Sequence, residues 1–249
     1  MEFFDCNCGI GKTAVMNPLV DGSLSGLKQA MERCGVQTVL AYHLEARDTS
    51  PMDGNRIISR LAEQEKWIRP LWVAMPHHTG EFPNPGELLR EMKQNDVRGI
   101  RIFPHPDFHN YGTGEYTAGE LFSAMEHAGV PVFMDLDQAG WDGVDDILER
   151  HHSLKLILCN TGYRCDRYLY PLVKKHGYLH IETSRYIPHQ GIEHLVAHMG
   201  HERILFGSGM PEYAMGAAVY HVEKLMLEEH VKQAIAGGNL ARLLEGVCI

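Results

Sequence analysis

Two stretches of the chain concentrate residues able to do chemistry. The first, "FDCNCGIGKT", sets Cys6 two residues from Cys8 and ends Gly11-Lys12-Thr13. A Cys-x-Cys pair could supply half of a zinc site, and a Gly-Lys-Thr ending could cradle phosphate. The second, "PHPDFHNYG", places His105, His109 and Tyr111 in a long non-periodic segment rich in aromatics. That composition suits a site loop, with histidine as general acid/base or substrate ligand near neutral pH. His77-His78 form a weaker pair of the same kind.

The phosphate reading fails on spacing. G-x-x-x-x-G-K-[ST] needs a glycine where this chain has Cys6, and Asn17-Pro18 argues against a helix opening at Lys12. The zinc reading lacks a second pair, because a structural site takes about four ligands. On a strand side chains alternate, so Cys6 and Cys8 are expected on one face and Asp5, Asn7 and Gly9 on the other. Buried structural thiols are the expectation for the cysteine pair.

The elements that must position these residues are regular. Runs such as "VQTVLAYH", "VPVFMDLD" and "LKLILCNTG" read as strands, and amphipathic stretches follow them. Ser23 or Ser25 should cap the first helix and Gly35 should stop it; the second helix should cover roughly Asn55–Lys66. Eight strand–helix units, with no linker between them, predict one α/β domain over residues 1–249. The architecture expected is a (β/α)8 barrel of the TIM type with an extra C-terminal helix, since such barrels use about 250 residues. Its site lies where the strands end. Asn7, His43, Asp135, Asp137, Asn160, Glu182, Ser184 and Glu212 all fall there. Arg101 shares strand parity with Phe103 and His105, so inside a barrel it would need an anion. Arg164 and Arg185 leave the sixth and seventh strands and could hold a carboxylate.

Composition narrows the partners. The chain has 249 residues, 44% of them hydrophobic, and a formal net charge of −9, with no basic stripe for nucleic acid. "MEFFDCNC" lacks the basic and apolar regions of a signal peptide, and no apolar run nears the roughly 18 residues of a membrane span. Six scattered cysteines read as reduced thiols, which predicts a cytoplasmic protein. The expected partner is a small-molecule substrate, with neither nucleic acid nor membrane, and a homodimer is compatible with this reading.

Taken in order, the strand ends resemble the amidohydrolase superfamily, in its amidohydrolase-related branch of TIM-barrel hydrolases. The first strand of that family ends D-x-H-x-H-x-G, where this chain has Asp5-Cys6-Asn7-Cys8-Gly9-Ile10-Gly11. "VRGIRIFPHP" is similar to its fourth strand, and "RILFGSGMP" to its F-G-S-D-x-P. "NLARLL" is similar to its closing N-x-A-R-L. The resemblance implies imidazoles and one aspartate around a divalent metal that activates water. Here Asn7 and Gly9 stand at two histidine positions, Asp135 and Asn160 at two more, and Gly209 at the aspartate. Amides are poor zinc ligands and glycine offers no side chain, so no metal is expected at that position. The first expectation is a metal-independent hydrolase of a small carboxylated substrate such as a lactone. In it Asp135 or His105 activates water and Asn7 and Asn160 hold the oxygen. Arg101, His109, Tyr111, Arg164, Arg185 and Glu212 would contact substrate. Two other readings stay open: a non-catalytic barrel that binds a small molecule or partner, and a zinc hydrolase with ligands relocated to His105, His109 and Asp135.

Overall fold

The computed structural model describes residues 1–13 and 20–249. Asn17-Pro18, used against the phosphate reading, lies outside the described residues. In chain order the strands are β1 (Phe3–Ile10), β2 (Val36–His43), β3 (Ile68–Pro70), β4 (Trp72–Val73), β5 (Ile100–Arg101), β6 (Val132–Asp135), β7 (Leu156–Cys159), β8 (Leu179–Glu182) and β9 (Ile204–Leu205). All pair in parallel, β1-β2-β3 and β4 through β9. β3 and β4 flank Leu71, whose N–H donates to Ala41 O at 2.8 Å, so together they form one stave and the strands among the described residues make eight. The ring joins between its first and last staves. Cys6 N donates to Phe206 O at 2.9 Å, Gly209 N to Asn7 O at 2.9 Å and Gly9 N to Met210 O at 2.7 Å.

The helices follow the strands: α1 (Leu24–Cys34), α2 (Leu44–Asp48), α3 (Pro51–Gln64), α4 (Pro85–Gln94), α5 (Glu115–Ala128), α6 (Gly140–Arg150), α7 (Asp166–Lys175), α8 (Gly191–Met199), α9 (Met215–Glu223), α10 (Glu229–Gln233) and α11 (Asn239–Glu245). Ser23 caps α1 through Gly26 N at 3.0 Å, and Gly35 ends it at φ 69°, the left-handed conformation glycine takes freely. α3 starts four residues before the expected Asn55. Ser50 caps it through Asp53 N, and Pro51 occupies its first turn, where a missing N–H costs nothing. Asn55 is then free for another task. Its amide exchanges two hydrogen bonds with Val73, at 2.8 and 2.9 Å, and pins α3 to β4.

Two apolar layers hold the fold. Outside the strands, β residues such as Val39, Ile102, Val132 and Ile181 meet the helices. Inside, Cys6, Leu40, Leu71, Val73, Phe103, Phe133, Ile157, Cys159 and Leu205 fill the barrel, and Leu240, Leu243 and Leu244 of α11 close its floor. Each such side chain contributes about 1.5–3 kcal/mol by leaving water.

β1 departs from simple alternation. Its pairing with β2 runs Asp5↔Val39 and then Cys8↔Ala41, three steps on one strand against two on the other. This bulge inverts the phase. Cys6 therefore faces the barrel interior, whereas Cys8 packs in the outer layer with Phe3 and Ile10. The expectation that Cys6 and Cys8 share a face is thus corrected, and so is the grouping of Asp5 with Asn7. The bulge turns Asn7 inward toward the mouth. Its extra N–H is met by Asp5, whose Oδ1 accepts from Asn7 N and from Ser208 N, each at 2.9 Å.

Candidate active site

At the mouth the strand ends deliver an ionic lattice. Arg101 leaves β5 into the barrel and is 2% exposed. Its Nη1 donates to Asn7 Oδ1 at 2.6 Å, and its Nη2 to Asp135 Oδ1 at 2.5 Å. The guanidinium lies over the rings of Tyr42 and Phe103, at 4.9 and 5.2 Å. Asn160, just past β7, donates its Nδ2 to the same Asp135 Oδ1 at 2.9 Å. Thus Arg101 does need an anion, and that anion is Asp135.

A second carboxylate braces this lattice from below. Glu182 ends β8, fully buried, and accepts from Asn160 N at 2.8 Å, Ser184 N at 2.6 Å and Ser184 Oγ at 2.7 Å. A Cβ on Gly207 would lie 2.2 Å from its Oε2, so glycine there gives the carboxylate its room. Burial pushes the Glu182 carboxyl above its ordinary range against those hydrogen bonds, and nearby Asp135 adds to the rise. Burial likewise raises Asp5. Burial alone would lower Arg101, but Asp135 and Tyr42 outweigh it and hold the guanidinium above the usual arginine range.

Above this lattice a narrow cleft is lined by Asn7, Tyr42, Arg47, Asp135, Asn160 and the segment Gly209 to Tyr213. It leaves about 20 Å³ for a water-sized body. Arg47 is the charged residue that sequence reasoning missed, along with the neighbouring Tyr42 and Tyr213. Arg47 sits on α2, where Ala46 packs into the barrel, and its side chain is 11% exposed. Its Nε meets Asp48 Oδ1 at 2.6 Å, and its Nη1 donates to Glu212 Oε1 at 3.1 Å. Burial opposes its charge, and Tyr42, Asp48 and Glu212 restore it, so the net direction is upward. The available signal was position, because Arg47 lies four residues beyond the end of β2.

The other expected residues divide. Glu212 lines the cleft, and Arg185 reaches its edge, donating to Tyr213 Oη at 2.7 Å. Arg164 does not line the cleft; it lies over the Tyr163 ring, 5.4 Å from the centroid. Tyr111 packs outward against the core and donates to Ala74 O at 3.3 Å, so its expected contact with substrate is corrected. His105 is 40% exposed and closes a local turn, its Nδ1 accepting from Asp107 N at 3.2 Å. His109 is tucked against Phe103 and Ala46 O, and burial lowers its pKa. His105, His109 and Asp135 therefore do not converge, and the relocated zinc set is corrected. Among the described residues the grouping close enough to hold an ion is Asp145, Glu149 and His176, outside the barrel on and after α6 and α7. There the Lys175 ammonium already meets Asp145 and Glu149, at 2.7 and 2.6 Å.

Parallel staves around a filled core, with polar side chains gathered at their C-terminal ends, define a (β/α)8 barrel built as enzymes of that fold are built. The chain belongs to the amidohydrolase family, whose profile matches residues 19–246. Among solved structures it is similar to an uncharacterized TIM-barrel protein from Bordetella bronchiseptica, with TM-score 0.74, 13% identity, and 99% of each chain covered. It is similar to a dihydroxybenzoic acid decarboxylase from Polaromonas sp. JS666 with bound manganese, at TM-score 0.72 and 14% identity over 98% of this chain and 97% of that one. A third is from Pseudomonas putida, with a proposed 2-pyrone-4,6-dicarboxylic acid hydrolase activity, at TM-score 0.70, 15% identity and 98% coverage of both. No curated protein matches the chain significantly. No helix among the described residues is long and apolar enough to cross a membrane.

With Arg101 bonded to Asn7 and Asp135, the residues present do not fit a divalent ion at the family's position. Beyond the amides of Asn7 and Asn160, two ligand positions have been filled in. A Cβ on Gly9 would lie 2.8 Å from Leu44 Cδ2, and one on Gly209 would lie 2.7 Å from the Tyr213 ring. The one carboxylate left among those positions, Asp135, already holds a guanidinium.

Proposed function

We propose that this mouth binds a small carboxylate-bearing molecule and hydrolyses a C–O bond in it, a lactone being the fitting class, by means of the chain's own side chains. The observation that carries the reading is the Arg47–Glu212 pair. A cationic group beside the lattice already holds a carboxylate, and a ligand carboxylate could take Glu212's place with the same geometry. Family membership supports an enzyme. The neighbours named above point to carboxylated small molecules, a dihydroxybenzoic acid in one and 2-pyrone-4,6-dicarboxylic acid, itself a lactone, in another.

In this reading Glu212 and Tyr213 swing away, because the cleft as it stands admits little more than water. Both bonds to Asp135 fall on Oδ1, which leaves Oδ2 for a water molecule. Oδ2 accepts a proton as that water attacks the carbonyl carbon. Asn7 Nδ2, held only by a 3.5 Å contact to Ser184 Oγ, is the donor closest to hand for the developing oxyanion. When the C–O bond breaks, the protonated Asp135 returns its proton to the leaving alkoxide. Arg101 keeps Asp135 oriented throughout by its bond to Oδ1.

The test is a panel of lactones and aromatic carboxylic acids, assayed in the presence of chelator. Chelator-resistant lactone turnover is expected, falling about 100-fold or more in Asp135→Asn, with Arg47→Met raising KM more than it lowers kcat. Release of carbon dioxide from an aromatic acid would replace hydrolysis by decarboxylation. Binding without turnover would favour a non-catalytic barrel, a second reading drawn from the bonds that Arg101 and Asn160 already make to Asp135 Oδ1.

A further inference from the structure

We infer that Arg101 is a built-in cation: its guanidinium takes the place that a divalent metal holds in this fold, and the mouth takes up such a metal only when that guanidinium is removed. The guanidinium bonds to Asn7 and Asp135, which stand at two of the ligand positions identified by the resemblance. A third, Asn160, bonds to Asp135 from the other side. Arg101 thus sits within the ligand set and not beside it. Arginine suits the task because its planar, permanently charged fork can serve two acceptors at once and stack on aromatic rings. Tyr42 and Phe103 supply those rings, and the buried Nε has no hydrogen-bond partner among the described residues.

Charge bookkeeping points the same way. Inside the mouth one fixed positive charge meets Asp135 directly and lies near buried Glu182. A divalent ion placed among Asn7, Asp135 and Asn160 would lie against that positive charge in a poorly hydrated site, where like charges repel strongly. Removing the guanidinium reverses the balance. Asp135 would keep only the neutral Asn160 amide as a partner, with the Asn7 amide oxygen nearby and a void the size of the lost group. Leu44 at Gly9 and Tyr213 at Gly209 show that packing has closed around this arrangement.

The inference does not rest on the substrate reading, because its readouts are ion uptake and stability, whereas turnover decides that reading. The full-length chain is dialysed against manganese or zinc chloride and its ion content measured, and thermal unfolding is followed with and without the ion. The wild type should retain no stoichiometric ion, and its midpoint should not move with manganese or chelator. Arg101→Met should lower the midpoint by about 10 °C, as loss of one partner of a buried pair does. Manganese should restore part of that loss, and Asp135→Asn added to Arg101→Met should abolish the restoration. Should Arg101→Met fail to fold, Arg101→Lys decides with the wild type: it keeps a cation and should stay indifferent to the ion. One ion per wild-type or Arg101→Lys chain that Asp135→Asn removes would overturn the inference. So would a folded Arg101→Met variant that gains nothing from manganese.

Discussion

At Gly209 the backbone stands at φ 71°, and a Cβ there would lie 2.7 Å from the Tyr213 ring. The family's aspartate at this position would meet both obstacles, a left-handed backbone and an occupied space. Gly209→Asp should therefore cost about 1–3 kcal/mol in urea unfolding. Adding Tyr213→Ala should recover the steric share and leave the backbone share. Full wild-type stability in the single variant would show that the position is merely vacant. The thiols make a second prediction. Burial pushes Cys6, Cys8 and Cys159 well above the ordinary thiol range, so each stays protonated and out of reach. Cys248 is exposed. A thiol-specific reagent should label Cys248 first in the native protein and all six cysteines after unfolding. Prompt native labelling of Cys6 or Cys8 would contradict the inward and outward packing of β1.

Elements differ in how much of them could be read in advance. The strands and helices were legible because periods of two and 3.6 are written in the apolar pattern. The caps at Ser23 and Gly35 were legible because each residue type has one local task there. That Arg101 points inward and needs an anion followed from parity with Phe103. Its partner did not, since Asp135 is 34 residues away and meets it only through the pairing of β5 with β6. The bulge in β1 was hidden for a similar reason. It is a register event against β2, stabilised by Ser208 from the far end of the chain through Asp5, and no local pattern records it. Arg47 was missed because α2 is a five-residue helix inside what reads as a loop. The extra C-terminal helix was expected, and its role became clear only in three dimensions. Leu240 on α11 is 1% exposed and plugs the barrel floor with Leu243 and Leu244. Leu240→Ala should lower stability by about 2–5 kcal/mol, the usual cost of a cavity in a packed core. Because the floor lies at the opposite end from Asp135, ligand binding at the mouth should survive below the lowered melting point, and isothermal titration would check it.

Across the whole molecule, buried titratable groups of opposite sign tie stability to pH. His180 on β8 is buried, and its pKa is lowered to about 4 by desolvation, with Arg203, Lys155 and Arg242 adding to the fall. Its ordinary value is 6.5, so between 6.5 and about 4 the unfolded chain binds a proton that the folded chain refuses. The stability contributed by neutral His180 is complete above 6.5 and drains away as pH falls through that window. The slope is about 1.4 kcal/mol per pH unit, or about 3 kcal/mol in all. Asp5 and Glu182 act in the opposite sense. Their raised values mean that the folded state holds protons which the unfolded state has released, so their contribution is greatest in acid and is lost as pH rises. The two effects partly cancel in the wild type. Replacing His180 uncovers the carboxylates. Urea unfolding of the wild type and of His180→Gln at matched pH should give stability curves that converge by about 3 kcal/mol between pH 7 and 4. The variant should be the less sensitive to acid, and parallel curves would mean that His180 is hydrated and titrates normally in the folded protein.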